Sequence, residues 1–259
     1  MVDLSISTSE LEYFLLIFIR MTAFLHLAPF YGEQSIPSRV KVTLGLFLAY
    51  LVYTISEPVA PVYDTVTEYA ILVIQEATVG LLIGLAAMIC MQIVSFAGRL
   101  IDMEIGLSAA SLMDPSFHES MTVSGMFLKY IFSFLLITSG MYQYIIKAMI
   151  ETYTLIPITG AKFAIGNLMA SFTGFMAQYF VIGFQIALPV FCVIMVMNVV
   201  LGVLAKVAPQ LNLFAVGMQI KILAGLVILY LSMWLVPVAA ELLFTEMKRM
   251  IVSIVEAMM

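Results

Sequence analysis

Charge is scarce in this chain: Lys and Arg number 11 and Asp and Glu 16 in 259 residues, a charged fraction of 10%. A soluble globular chain is nearer a quarter charged, so this one has too few ions to cover a water-facing surface. The hydrophobic fraction is 63% and the mean hydropathy +1.12. A bilayer resolves the imbalance, because lipid tails can cover apolar side chains. The formal net charge of −5 argues against a nucleic-acid partner. No section is both long and polar enough for a separate soluble domain. The most polar, Arg99 to Thr122, still carries Ile101, Leu107, Leu112 and Phe117.

Histidine and cysteine are equally sparse. His26 and His118 lie far apart and form no metal-ligand cluster. Cys90 and Cys192 sit within apolar runs and read as small buried hydrophobes rather than a disulfide framework. No cofactor is implied. No phosphate loop, His-Glu metal helix or nucleophile elbow is present, and Asp114, Ser116 and His118 carry no triad geometry. The residues point away from an enzyme. The opening Met1-Val2-Asp3, with Glu10 and Glu12 before the first basic residue, Arg20, lacks the basic start of a cleaved signal.

What is abundant is apolar length. Runs fall at about 11–30, 40–56, 69–97, 123–150, 163–205 and 211–240. All exceed usual strand lengths, and lipid-exposed backbone must satisfy its own hydrogen bonds, so an all-α, multi-helix membrane chain is predicted. Breaks carry turn chemistry at Pro29, Gly32 and Pro37, at Pro58 and Pro61, at Asp114-Pro115, at Pro157 and Gly160, and at Pro209. No formal charge lies between Lys162 and Lys206. One helix over that stretch would be about twice as long as a hydrocarbon core is thick. It is expected either to break around Gly183–Pro189 or to pack against protein. Basic residues divide evenly between the two sides of a spanning arrangement, so orientation stays undetermined. The tail Glu241–Met259 repeats Leu243, Met247, Met250 and Ile254 at helical spacing, which suits an interfacial helix or one docked on a cytoplasmic partner.

Glycine and charge share helix faces three times: Glu76, Gly80 and Gly84; Gly98, Asp102 and Gly106; Gly217, Lys221 and Gly225. Glycine at that spacing permits close helix approach, and a charge on the strip then faces protein. Arg20, Glu76, Lys129 and Lys221 are isolated charges in apolar runs. Either Glu76 and Lys221 form a proton relay or such charges bond across subunit contacts; their dispersal favours the second. The 20 methionines read mostly as apolar filler.

The stretch Leu201-Gly202-Val203-Leu204-Ala205-Lys206-Val207-Ala208-Pro209-Gln210-Leu211-Asn212-Leu213-Phe214, followed by Gly217, Lys221 and Gly225, resembles the signature of the FliR/SctT family of type III export-gate subunits. Arg20 with Pro29 and Pro37, Glu76 with Gly80, Gly98-Arg99 with Asp102 and Gly106, and Asp114-Pro115 extend the resemblance over essentially the whole chain. It implies a non-enzymatic flagellar subunit assembled with FliP and FliQ, contacted by FlhB and FlhA, that passes unfolded flagellar export substrates through the bacterial inner membrane. It implies helical hairpins built into a cone with these partners, much of it toward the periplasm. One export-gate domain over 1–259 is implied, with a FliP-like part to about 205 and a FliQ-like hairpin from about 206 to 259. A pore plug is implied at Gly106-Leu107-Ser108-Ala109-Ala110-Ser111-Leu112-Met113-Asp114-Pro115-Ser116-Phe117 and on to Met121; an ordinary turn is the other reading. Gly202, Lys206, Pro209, Gln210, Asn212 and Phe214 join the three glycine strips as assembly residues. An injectisome counterpart, and an ion-coupled transporter using Glu76, Asp102 and Lys221, are the competing functions.

Overall fold

The computed structural model describes residues 8–32, 36–56, 63–108, 122–158, 160–208 and 213–259. Among these the regular structure is helical: α1 (Thr8–Leu27), α2 (Ser38–Ile55), α3 (Val66–Ile105), α4 (Val123–Thr138), α5 (Met141–Leu155), α6 (Ile165–Val207), α7 (Leu213–Leu231) and α8 (Val236–Glu256). A 3₁₀ turn, Ser232–Leu235, joins α7 to α8. The long apolar runs become helices because every backbone group is then satisfied within its own segment.

Among the described residues, four helical stretches are long and apolar enough to cross a membrane: Ser38–Ile55, Val66–Ile105, Ile165–Val207 and Val216–Glu256. The single run expected at 123–150 is interrupted, with α4 ending at Thr138 and α5 starting at Met141. Gly140 adopts φ 72° there, a left-handed conformation that glycine tolerates without steric cost. The expected break in the charge-free run is absent: α6 continues for 43 residues with Pro189 inside it. At 1.5 Å per residue it is about 64 Å long.

The chain divides into two compact units. The first comprises Met1–Ile89, Gly140–Phe175 and Glu246–Met259. Its core is built from Leu16, Ile17, Met21 and Phe24 of α1, Val79 and Ile83 of α3, Met149 of α5, and Met247, Met250 and Ile254 of α8. The repeating apolar face of the tail, Leu243, Met247, Met250 and Ile254, is covered by the chain itself. Backbone bonds from Lys162 N to the Met258 carbonyl (3.0 Å) and from Ala164 N to the Ala257 carbonyl (3.3 Å) fasten the terminus. Ser171 and Ser253 pair through their hydroxyls at 2.8 Å.

The second unit comprises Cys90–Ser139 and Met176–Thr245. Ile93, Val94 and Ala97 of α3, Phe132 of α4, Ala187 and Ile194 of α6 and Leu243 of α8 form its core. Gly183 lets Phe96 lie flat on α6: a Cβ there would stand 2.5 Å from the ring. Cys90 is buried as expected, whereas Cys192 is exposed on α6, and the two form no disulfide.

Candidate functional site

The first unit is organised around one buried cation. Arg20 of α1 is fully buried and its Nε donates to Glu76 Oε2 of α3, itself 1% exposed. Removing two ions from water costs several kcal/mol each, so the pair persists only if further bonds complete it. They come from the end of α5. Arg20 Nη1 donates to the Ile156 carbonyl at 3.1 Å and more distantly to that of Thr152 at 3.5 Å. The guanidinium also lies 4.5 Å from the centroid of the Tyr153 ring, and the Tyr153 hydroxyl donates to the Ile17 carbonyl at 3.0 Å.

This arrangement answers a local need. The last carbonyls of a helix have no partners in the helix and carry partial negative charge. The last turn of α5 contains no basic residue of its own. Arg20 supplies the missing cation from a helix more than a hundred residues upstream. Its Nη2 alone has no bond among the described residues.

Glycines bring the partner helices close enough. A Cβ on Gly80 would stand 2.2 Å from the Arg20 carbonyl oxygen, and one on Gly84 would stand 2.8 Å from that of Phe24. The Glu76–Gly80–Gly84 strip is therefore the seat of α1 within this chain. Glu76 finds an ion partner, Arg20, within this chain.

The second unit repeats the logic with reversed sign. Asp102 of α3 is buried, and its Oδ2 accepts from the Ser124 amide at 3.0 Å. Thr122 caps the same helix, α4, by accepting from the Gly125 amide at 3.3 Å. An anion thus meets the positive end of α4. Gly98 and Gly125 allow the approach, since a Cβ on Gly98 would stand 2.1 Å from Gly125 Cα. Gly106, with φ 94°, ends α3.

The remaining expected residues fall into different settings. Gly225 receives Ile105, whose Cγ1 would be 2.4 Å from an added Cβ, and Gly217 lies against Leu201 at 3.3 Å. Lys221, half-buried between them, has no ion-pair partner among the described residues. Gly202 and Lys206 are exposed on the last turns of α6, and nothing lies within 4 Å of a Cβ on Gly202. Phe214 is in the first turn of α7. Leu107 and Ser108 follow Gly106, while Ala109 through Met121, and Pro209, Gln210 and Asn212, lie outside the described residues.

Tyr153, Thr152 and Gly125 were not among the residues singled out from the sequence. One signal could have found the first two: a helix end without a cation of its own, in a chain with an isolated Arg in an apolar run.

Residues 11–247 match the family described as bacterial export proteins, family 1. The flagellar biosynthetic protein FliR of Pectobacterium carotovorum is 30% identical over 88% of this chain and 87% of its own length. The protein of the same name from Bacillus subtilis is 29% identical over 90% of each chain. That from Escherichia coli K12 is 27% identical over 92% of this chain and 90% of its own. The match reaches into both units and includes every buried charge and helix-seating glycine described above, and the chain is a member of the bacterial export proteins, family 1.

Proposed function

We propose that this chain is a non-enzymatic subunit of the flagellar type III protein-export gate in the bacterial inner membrane, helping to form and close its protein-conducting channel. Its partners in this reading are FliP and FliQ in one hetero-oligomer, with FlhB and FlhA in contact and unfolded flagellar subunits as cargo. The observation that carries the reading is α6. It is 43 residues long, and only 17% of its most apolar window is buried. A bilayer core about 30 Å thick can cover roughly half of a helix about 64 Å long. The rest needs protein around it, which favours an assembled subunit, partly outside the membrane on the periplasmic side, over a self-contained transporter. The flagellar names of the relatives favour the flagellar form over an injectisome counterpart. Division into a FliP-like part to about 205 and a FliQ-like hairpin beyond it belongs to the same proposal.

Co-expression of the tagged chain with FliP and FliQ, detergent extraction and native mass spectrometry test this directly. One defined complex with all three is expected; a stable lone protomer or homodimer would overturn the reading. Gly202→Leu sharpens the test of the 202–225 stretch. Among the described residues nothing lies within 4 Å of a Cβ at this position, so the substitution should lower recovery of the complex and leave synthesis of the chain unchanged.

The segment from Gly106 to Met121 is assigned closure. The left-handed Gly106 lets the backbone leave α3 sharply. Small and apolar residues such as Ala109, Ala110 and Leu112 can fill a lumen without binding cargo tightly. Deleting Leu107–Leu112 in an intact complex should raise ion leakage through it; unchanged leakage would refute the assignment.

A further inference from the structure

The last turn of α3 carries two carboxylates, Asp102 and Glu104, and no basic residue. The carbonyls at a helix C-terminus already hold partial negative charge, so acids are unfavourable there and a cation is stabilising. Asp102 is relieved by the first turn of α4, through the Ser124 amide. Glu104 is half-buried and has neither a hydrogen bond nor an ion pair among the described residues. The same shortage at the end of α5 is met by Arg20, reaching in from another helix. At the end of α3, no cation among the described residues pairs with Glu104.

Beside Glu104 is a narrow cleft of about 20 Å³ between α3 and α6, all of it within the second unit. Leu100 and Ile101 line one side, and Phe184, Ala187 and Phe191 the other. The two phenyl rings have centroids 5.2 Å apart, and Phe184 stays exposed at the edge of the cleft. The space suits one water-sized group. Water itself needs two to four polar partners, and Glu104 is the one polar side chain lining the cleft among the described residues. A divalent metal asks for about six oxygen ligands and meets the same shortage. A guanidinium is a broad plane, whereas an ammonium is compact and sits on a flexible four-carbon stem. An ammonium can lie against aromatic rings, and its charge answers both Glu104 and the end of α3. Its stem would cover Phe184 and Leu188, which are exposed one turn apart on α6.

We propose that the Glu104 cleft is the socket for a lysine of a neighbouring subunit, which fixes that subunit against the α3–α6 side of the second unit. The proposal rests on the reading of the chain as one member of a hetero-oligomer, and it assigns one contact of that assembly to a named carboxylate.

The complex of the tagged chain with FliP and FliQ, treated with an apolar carbodiimide, tests it. The reagent activates the carboxylate; a neighbouring amine, having lost its proton, attacks the activated carbon, forms an amide and releases the reagent as its urea. Peptide mapping should place that amide between Glu104 and a lysine of another subunit. Glu104→Gln should abolish the cross-link and lower recovery of the complex several-fold, without lowering synthesis of the chain. A complex in which Glu104 is converted to an N-acylurea, with no cross-link, would overturn the proposal alone. So would a cross-link from Glu104 to a lysine of this same chain, such as Lys221. Failure of the unsubstituted chain to form any complex would instead overturn the export-gate reading, and the proposal with it.

Discussion

Replacing Glu76 by Ala leaves the Arg20 guanidinium fully buried without its counter-ion. Removing one member of a buried pair costs about 3–5 kcal/mol. For a chain of this size each kcal/mol lowers the melting temperature by ~2–4 °C, so a fall of roughly 6–20 °C is expected. Arg20→Ala should fall at the upper end of that range, because it also strips the Ile156 carbonyl of its donor and Tyr153 of its cation. The double variant Arg20→Met/Glu76→Met removes both ions and fills the space. Its remaining defect is the unsatisfied end of α5, worth ~1–3 kcal/mol. It should therefore melt above either methionine single, Arg20→Met or Glu76→Met, and the cycle of these three variants should show a coupling of up to about 3 kcal/mol. The assay is thermal unfolding of the purified complex in one detergent at a fixed scan rate, because irreversible unfolding makes the midpoint depend on that rate. A double variant that melts as low as the sum of the two single losses would refute the reasoning, since it would mean that the two ions act independently.

The glycines give a paired prediction: Gly80→Ala should sharply lower the melting temperature because its Cβ meets the Arg20 carbonyl at 2.2 Å. Gly202→Ala meets nothing within 4 Å and should stabilise the lone chain by up to about 1 kcal/mol through helix propensity. At the start of α4, Asp102→Asn keeps an oxygen for the Ser124 amide and should cost less than ~1 kcal/mol, whereas Asp102→Ala should cost about 1–3. Hydrogen exchange in the first turn of α4 should rise in the alanine variant only; equal exchange in both would count against the Asp102 contact. Replacing Gly140 by Ala imposes a side chain on a φ of 72°; strain of about 1–2 kcal/mol should appear as a lower melting temperature.

The helices were legible because their cause is a bulk property. Apolar runs too long for strands have one way to satisfy their backbone in lipid, and that rule needs no partner information. The junction at Ser139-Gly140 was not legible, since a left-handed glycine leaves no mark in the hydropathy of its neighbours. A break around Gly183–Pro189 was one of two expected outcomes, packing against protein being the other, and the helix runs through Pro189. At the site, the sequence placed Glu76, Gly80 and Gly84 on one face and Arg20 among the isolated charges, yet could not pair residues on different helices. Asp102 shows the same limit: its partner is a backbone amide, which every residue has, so no side-chain pattern announces it.

Helix α6 has a consequence for vertical position in the bilayer. Between Lys162 and Lys206 there is no ionised side chain to favour one depth over another. Sliding the helix by one turn, about 5.4 Å, trades one apolar turn for another. Anchoring residues that normally settle how deep a span sits are absent over most of its length. Its immersion must then be dictated by what is attached to it. In this chain the attachments at one end are the bonds from the Ala164 amide to the Ala257 carbonyl and from the Lys162 amide to the Met258 carbonyl, so Ala257 and Met258 help decide how far this helix sinks.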